Sequence, residues 1–158
     1  MENIIIKIDN ITIIITDSVF NNLKKESVGN IETGGTLYGF KLQRRNEYVI
    51  SGLTTFQDND IRTGNTFERK DLKHFDIINK EWEKDSSIMF LGDWHYHPSN
   101  NVNVSWTDLT TFENLKKNSI TSSKIICNII TCKNYFVLYV NDKKSNSNYL
   151  KEQIYFSK

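Results

Sequence analysis

The chain predicts a mixed α/β fold: one domain over residues 1–158, with a central mixed β-sheet flanked by helices. Three observations predict it. Short β-branched runs bounded by turn residues recur along the chain, and they outnumber the stretches whose apolar residues repeat at helical spacing. A length of 158 residues matches one domain at about 150 residues each. Hydrophobic residues make up 38%, enough to bury a core, which excludes a largely disordered chain.

Residues 4–8 and 11–16 are β-branched runs parted by Asp9-Asn10, a strand–turn–strand signal. Asp17 or Ser18 then caps a helix through Lys25 that sets Val19, Phe20 and Leu23 on one face and stops near Gly29. Residues 32–40 are a glycine-rich entry into a strand. Residues 47–56 are its partner across a charged turn at Arg44-Arg45-Asn46. Residues 58–65 form the longest polar loop. Phe67, Leu72, Phe75, Ile77, Ile78 and Trp82 predict a helix over roughly 68–84. A buried strand over 88–94 runs into His95-Tyr96-His97-Pro98, and a helix follows over 106–118. Residues 124–131 and 135–140 make a hairpin around Lys133-Asn134. Residues 143–148 are a polar loop, and 149–156 a last strand.

Twenty Lys and Arg against 19 Asp and Glu leave a formal charge of +1, without the clustered cations that phosphate neutralisation needs. Nucleic acid is therefore not expected as a partner. Cys127 and Cys132 cannot build a disulfide framework, and five positions apart on a strand they face opposite sides, so they read as buried, inert thiols. The first residues lack the apolar stretch of about 7–15 residues that a secretory leader carries. No run approaches the roughly 20 apolar residues of a membrane span. The expectation is a soluble cytoplasmic protein with no membrane partner. His74 reads as an ordinary helix residue, and Trp82, Trp94 and Trp106 as packing groups.

Two of the three histidines are His95 and His97. On a strand, positions i and i+2 share a face, so both imidazoles can aim at one point. Zinc held by two such nitrogens still needs a third protein ligand. Ser105 and Asp108 continue the pattern as His-x-His-x7-Ser-x2-Asp. Alone, Ser105-Trp106-Thr107-Asp108 is a helix start, with Ser105 as N-cap and an acid at the third position. The two readings are compatible, since a helix N-terminus can present its acid beside a strand end. A hydrolytic site also needs a base, and Glu32 is the best placed, because Gly34 and Gly35 beside it allow close backbone approach and unusual dihedrals.

Glu32-Thr33-Gly34-Gly35-Thr36-Leu37-Tyr38-Gly39, Gly92-Asp93-Trp94-His95-Tyr96-His97-Pro98 and Ser105-Trp106-Thr107-Asp108 together resemble the JAB/MPN domain family with an intact JAMM motif. The likeness spans about residues 30–110 and is greatest to prokaryotic JAB-type zinc metalloproteases, some of which accompany ubiquitin-like modification systems in phage defence. It implies a cytidine-deaminase-like fold of JAB/MPN type. It implies Zn²⁺ on His95, His97 and Asp108, Glu32 as the base that holds the attacking water, and Ser105 as donor to the oxyanion. The implied reaction cleaves a peptide or isopeptide bond after the C-terminal glycine of a ubiquitin-like protein. Asp93 falls on the face of His95 and His97, where it supports a ligand or meets solvent. The loop over 57–65 is where the family places part of its substrate groove, with Arg62 as a contact to the incoming tail and β-addition as the binding mode. Three alternatives stand beside this one. They are a small-peptide or amino-acid-releasing JAB hydrolase, a non-catalytic MPN scaffold, and a DNA-repair-associated relative of the RadC type echoed by His97-Pro98-Ser99. The complete ligand set argues against the scaffold, and the balanced charge against the DNA-repair type.

Overall fold

A computed structural model describes residues 2–43, 45–100, 102, 104–119, 121–144 and 149–157. The strands are β1 (Ile4–Ile8), β2 (Ile11–Ile15), β3 (Thr33–Lys41), β4 (Glu47–Leu53), β5 (Ile61–Arg62), β6 (Phe67–Glu68), β7 (Met89–Tyr96), β8 (Ile125–Thr131), β9 (Tyr135–Asp142) and β10 (Leu150–Tyr155). The helices are α1 (Asp17–Glu26), α2 (Lys73–Lys84) and α3 (Trp106–Asn118). Eight strands form one mixed sheet in the order β1-β2-β4-β3-β7-β8-β9-β10, while β5 and β6 pair only with each other. Its edge strands β1 and β10 approach one another, so the sheet curls almost into a barrel. No helix among the described residues is long and apolar enough to cross a membrane.

The expected element order holds, with instructive shifts at the ends. Thr16, rather than Asp17 or Ser18, caps α1, its side chain accepting from Val19 N. The strand expected over 47–56 ends at Leu53, and the helix expected over 68–84 begins at Lys73. The second shift has a local cause. Phe67 and Glu68 pair with Arg62 and Ile61, and the backbone N–H groups of Lys70 and Asp71 donate to the Asp60 carboxylate. Backbone held in those two ways is not available to a first helical turn. Arg44 of the expected turn and residues 145–148 of the expected loop lie outside the described residues.

Both sheet faces are covered. One packs α1, through Val19 and Leu23, against Ile13, Ile15, Tyr48, Ile50, Trp94, Cys127 and Ile129. The other carries α2, with Ile78 on Phe90 and Ile126, and α3, with Phe112 on Ile130, Val137 and Tyr139. β7 changes its pleat between these faces. Leu91, Trp94 and Tyr96 all face the α1 side, so the strict two-residue alternation breaks between Leu91 and Trp94. The break is a bulge at Gly92, where the β3 register slips between Leu37 and Tyr38 and φ is +146°. An added Cβ there would overlap the Cys127 carbonyl, so only glycine fits. Beyond the bulge, Asp93 and His95 project to the side of α2 and α3. Trp94 is buried as expected, whereas Trp82 and Trp106 are 52% and 83% exposed and pack little. Cys127 and Cys132 are free, buried and in separate apolar clusters, and burial pushes the Cys127 thiol up to about 12.

Candidate functional site

The site forms at the C-terminal end of β7, where the central strand meets a parallel neighbour through a helical crossover. β3 pairs antiparallel with β7, with Thr33 opposite Tyr96 and Gly34 opposite His95. Extending that register sets Glu32 across from His97, although 65 positions separate them in sequence (97 − 32). Gly34 and Gly35 allow this pairing by close approach: a Cβ on Gly34 would overlap the Trp94 carbonyl, and one on Gly35 that of Thr54. Neither takes the unusual dihedrals that the sequence allowed for; positive φ among the described glycines belongs to Gly29 and Gly92. His97 N donates to Thr131 O at 2.8 Å, so the second imidazole is pinned by β8 as well.

α3 supplies the other carboxylate. Ser105 caps the helix in a capping box: its Oγ accepts from Asp108 N at 3.0 Å, while Ser105 N donates to Asp108 Oδ2 at 2.9 Å. This leaves Asp108 Oδ1 facing His95 Nε2 at 3.0 Å. The two imidazole Nε2 atoms lie 2.9 Å apart, and His97 Nε2 is 3.7 Å from Glu32 Oε1 and 3.9 Å from Asp108 Oδ2. Two nitrogens on one tetrahedral zinc at about 2.0–2.1 Å would stand about 3.3 Å apart, so the imidazoles, at 2.9 Å, lie somewhat closer than two such ligands. Glu32, His95 and His97 have donor atoms all within 4.8 Å of one another and could hold a metal ion. Asp108 lies against the same two imidazoles. Its nearer oxygen is 3.0 Å from an imidazole nitrogen, against 3.7 Å for Glu32, so carboxylates flank the imidazole pair from β3 and from α3.

Electrostatics sort the carboxylates. Burial raises the Glu32 carboxyl above its ordinary value, opposed by His95 and assisted by Asp108. Burial would raise Asp108 too, but the His95 hydrogen bond and charge, with the Ser105 contacts, bring it down to about 2. One carboxylate is thus inclined to take a proton and the other to stay ionised.

These groups line a cleft of about 760 Å³. Residues 64–69 of the β5–β6 hairpin form one wall, and Ser105, Thr107, Asp108 and Thr111 the other. Asp93 lies in the cleft with both carboxylate oxygens on Arg69 Nε, at 3.1 and 3.2 Å. Arg62 lies on the outer side of the hairpin, exposed, with its guanidinium 3.9 Å over the Phe56 ring, and does not line the cleft. A second cavity of about 530 Å³, lined by Phe75, Phe90 and Leu115, shares Arg69 and Thr111 with the first. The sequence reading missed the hairpin, Arg69 and the partners of His74. The last carried a signal, because His74 and Ile78 are four apart on the buried face of α2, and a buried imidazole needs hydrogen-bond partners.

The chain is similar to two curated proteins, each named CD-NTase/cGAS isopeptidase. One, from Escherichia coli (strain TW11681), is 29% identical over 108 residues, covering 66% of this chain and 67% of that protein. The other, from Enterobacter hormaechei subsp. hoffmannii (strain UCI 50), is 26% identical over 110 residues, covering 68% of this chain and 60% of that protein. No known family model matches the chain. Among solved structures it resembles the solution structure of a Desulfitobacterium hafniense protein, with a TM-score of 0.58 over 89% of this chain and 88% of that one. At 14% identity this likeness concerns the fold alone.

Proposed function

We propose that the chain is a zinc isopeptidase of the JAMM type on a cytidine-deaminase-like, JAB/MPN fold. Its reaction is hydrolysis of the amide that joins the C-terminal residue of a ubiquitin-like protein, or of a protein handled like one, to an amine. The observation that carries this reading is the meeting of His95, His97 and Asp108 around one point, with the buried Glu32 beside it. The names of the two relatives favour a CD-NTase as one member of the conjugate and a setting in bacterial defence. The free thiols of Cys127 and Cys132 suit a reducing cytoplasm.

His95, His97 and Asp108 would hold Zn²⁺. When bound, zinc lowers the pKa of a coordinated water towards about 7 and polarises the scissile carbonyl. Glu32 takes the proton from the attacking water, a role its raised carboxyl suits, and returns it to the departing amine. Ser105 donates to the tetrahedral oxyanion. Its Oγ accepts the cap bond from Asp108 N, which leaves its own proton to give. The C–N bond breaks, leaving a carboxylate and a free amine. The hairpin wall and α3 bracket an extended tail, with Asp93 and Arg69 along its path.

Metal analysis and turnover test this together. The purified protein is expected to hold one zinc and to release a fluorophore amide-linked to the C-terminus of a ubiquitin-like protein or of a CD-NTase, faster than from a dipeptide amide. Zinc-loaded protein that leaves every protein-linked amide intact would overturn the isopeptidase reading. Preference for the dipeptide would move the chain to the small-peptide hydrolases.

A further inference from the structure

Behind the cleft, a buried chain of polar groups has no part in the reaction just proposed. The Asp60 carboxylate accepts four N–H groups: Lys70 N at 2.8 Å and Asp71 N at 2.9 Å on Oδ1, Gln57 N at 2.9 Å and His74 Nε2 at 2.6 Å on Oδ2. An ionised carboxylate only accepts, so His74 Nε2 carries the proton. His74 Nδ1 is 2.6 Å from Thr54 Oγ1, which also accepts Thr36 N at 2.8 Å. Thr54 O in turn receives Trp94 Nε1 at 2.8 Å. Thr36, Thr54 and His74 are between 0% and 2% exposed, and Asp60 is 7% exposed. A hydroxyl, an imidazole and a carboxylate stand here in the order of a nucleophilic triad, but the hydroxyl is closed off from solvent and cannot meet a substrate.

The use of this chain lies in what it joins. The β5–β6 hairpin forms a cleft wall, yet it has two residues per strand and, among the described residues, belongs to no larger sheet. Its place relative to the imidazoles is therefore fixed by tethers to the rest of the chain, the densest of them at its base. Asp60 gathers both ends of the segment, at Gln57 and at Lys70 and Asp71. His74 and Thr54 carry that hold to Thr36 on β3 and Trp94 on β7, the residue before His95. Two further ties run nearer the cleft, Glu32 N to Thr63 O at 2.8 Å and Arg69 to Asp93.

We propose that Asp60, His74 and Thr54 are positioning residues that fix the hairpin wall at the distance from His95 and His97 at which the substrate tail is gripped. This rests on the isopeptidase reading. The ligands themselves sit on β7 and α3, outside the tethered segment, so loosening the clamp weakens substrate binding and leaves the metal and the chemical step in place.

The test compares Thr54→Val, which keeps shape and loses the hydroxyl, with Thr54→Ser, which keeps the hydroxyl. His74→Gln is a second break in the chain should Thr54→Val fold poorly. The full chain is assayed below its melting temperature on the fluorogenic ubiquitin-like or CD-NTase substrate, with zinc content and amide hydrogen exchange measured alongside. Thr54→Val and His74→Gln should raise KM about tenfold with kcat within about threefold, the signature of lost binding shared by ground and transition states. One zinc should remain, exchange should quicken at residues 61–69, and Thr54→Ser should restore KM. Unchanged KM in both broken variants, or a fall in kcat alone, overturns the proposal even if the melting temperature drops. If the unaltered protein hydrolyses nothing, the isopeptidase reading fails by itself. The exchange data still decide the clamp, which falls if protection at 61–69 is the same in Thr54→Val.

Discussion

Ser105 is asked to do two things, and substitution separates them. Its Oγ accepts the Asp108 N–H that opens α3, and its hydroxyl proton points the proposed chemistry at the oxyanion. Ser105→Ala removes both. Loss of an N-cap costs about 1 kcal/mol, roughly 2–4 °C in Tm for a chain of this size. Loss of one oxyanion donor costs about 2.7–4 kcal/mol in the barrier, a factor of 10²–10³ in kcat. Ser105→Gly keeps most of the cap, at a penalty of a few tenths of a kcal/mol, but has no proton to give. Zinc should stay in both variants, because Asp108 Oδ2 is held by the main-chain N–H of residue 105, which any side chain leaves intact. The assay is kcat on the fluorogenic substrate together with zinc content and thermal melting. Ser105→Gly should melt close to the unaltered protein and turn over 10²–10³ times more slowly. Near-normal turnover in that variant would refute the oxyanion role and leave Ser105 as a cap only.

Asp108→Ala should lose zinc and activity together, whereas Glu32→Gln should keep zinc and lose turnover; a metal-free Glu32→Gln protein would exchange the roles of the two carboxylates. Because burial raises the Glu32 carboxyl, a carboxyl NMR titration of chelator-treated protein should place its pKa above the ordinary glutamate value. A titration at or below the ordinary value would exclude the burial argument. Asp108 moves in the opposite sense, to about 2, so its share of stability is full above the unfolded carboxylate value of about 3.9 and is lost as pH falls towards 2. Asp108→Asn should flatten the acid limb of chelator-treated protein in urea melts. Cys127 and Cys132 are buried, with the Cys127 thiol at about 12, so neither should react with a thiol reagent until denaturant is added.

The sequence reading reached most of the element order, because β-branched runs and helical spacing are local signals. It also reached the residues that meet at the site. His95 and His97 share a face by strand geometry, and Ser105 and Asp108 form the capping box that the helix start predicted. What escaped it depends on contacts between distant segments. The start of α2 moved from 68 to Lys73 because Asp60 claims backbone N–H groups at Lys70 and Asp71. The β5–β6 hairpin has two residues per strand and no alternation to read. Asp93 was placed on the correct face, but its partner Arg69 comes from a segment assigned to a helix. Trp106 occupies an apolar-looking position in a helix start and stands in solvent, since the covering face of α3 is the one bearing Asp108 and Phe112.

The kink at Gly92 has a further consequence. Residues before it and after it keep opposite phases of the pleat, so this one position decides whether the imidazole of His95 opens onto the cleft or turns inward on the side of Leu91. Straightening the strand would carry the imidazole pair to the other side of the sheet without altering either histidine. The meeting of the two imidazoles with Glu32 and Asp108 could therefore be undone from three residues away, by a side chain at 92.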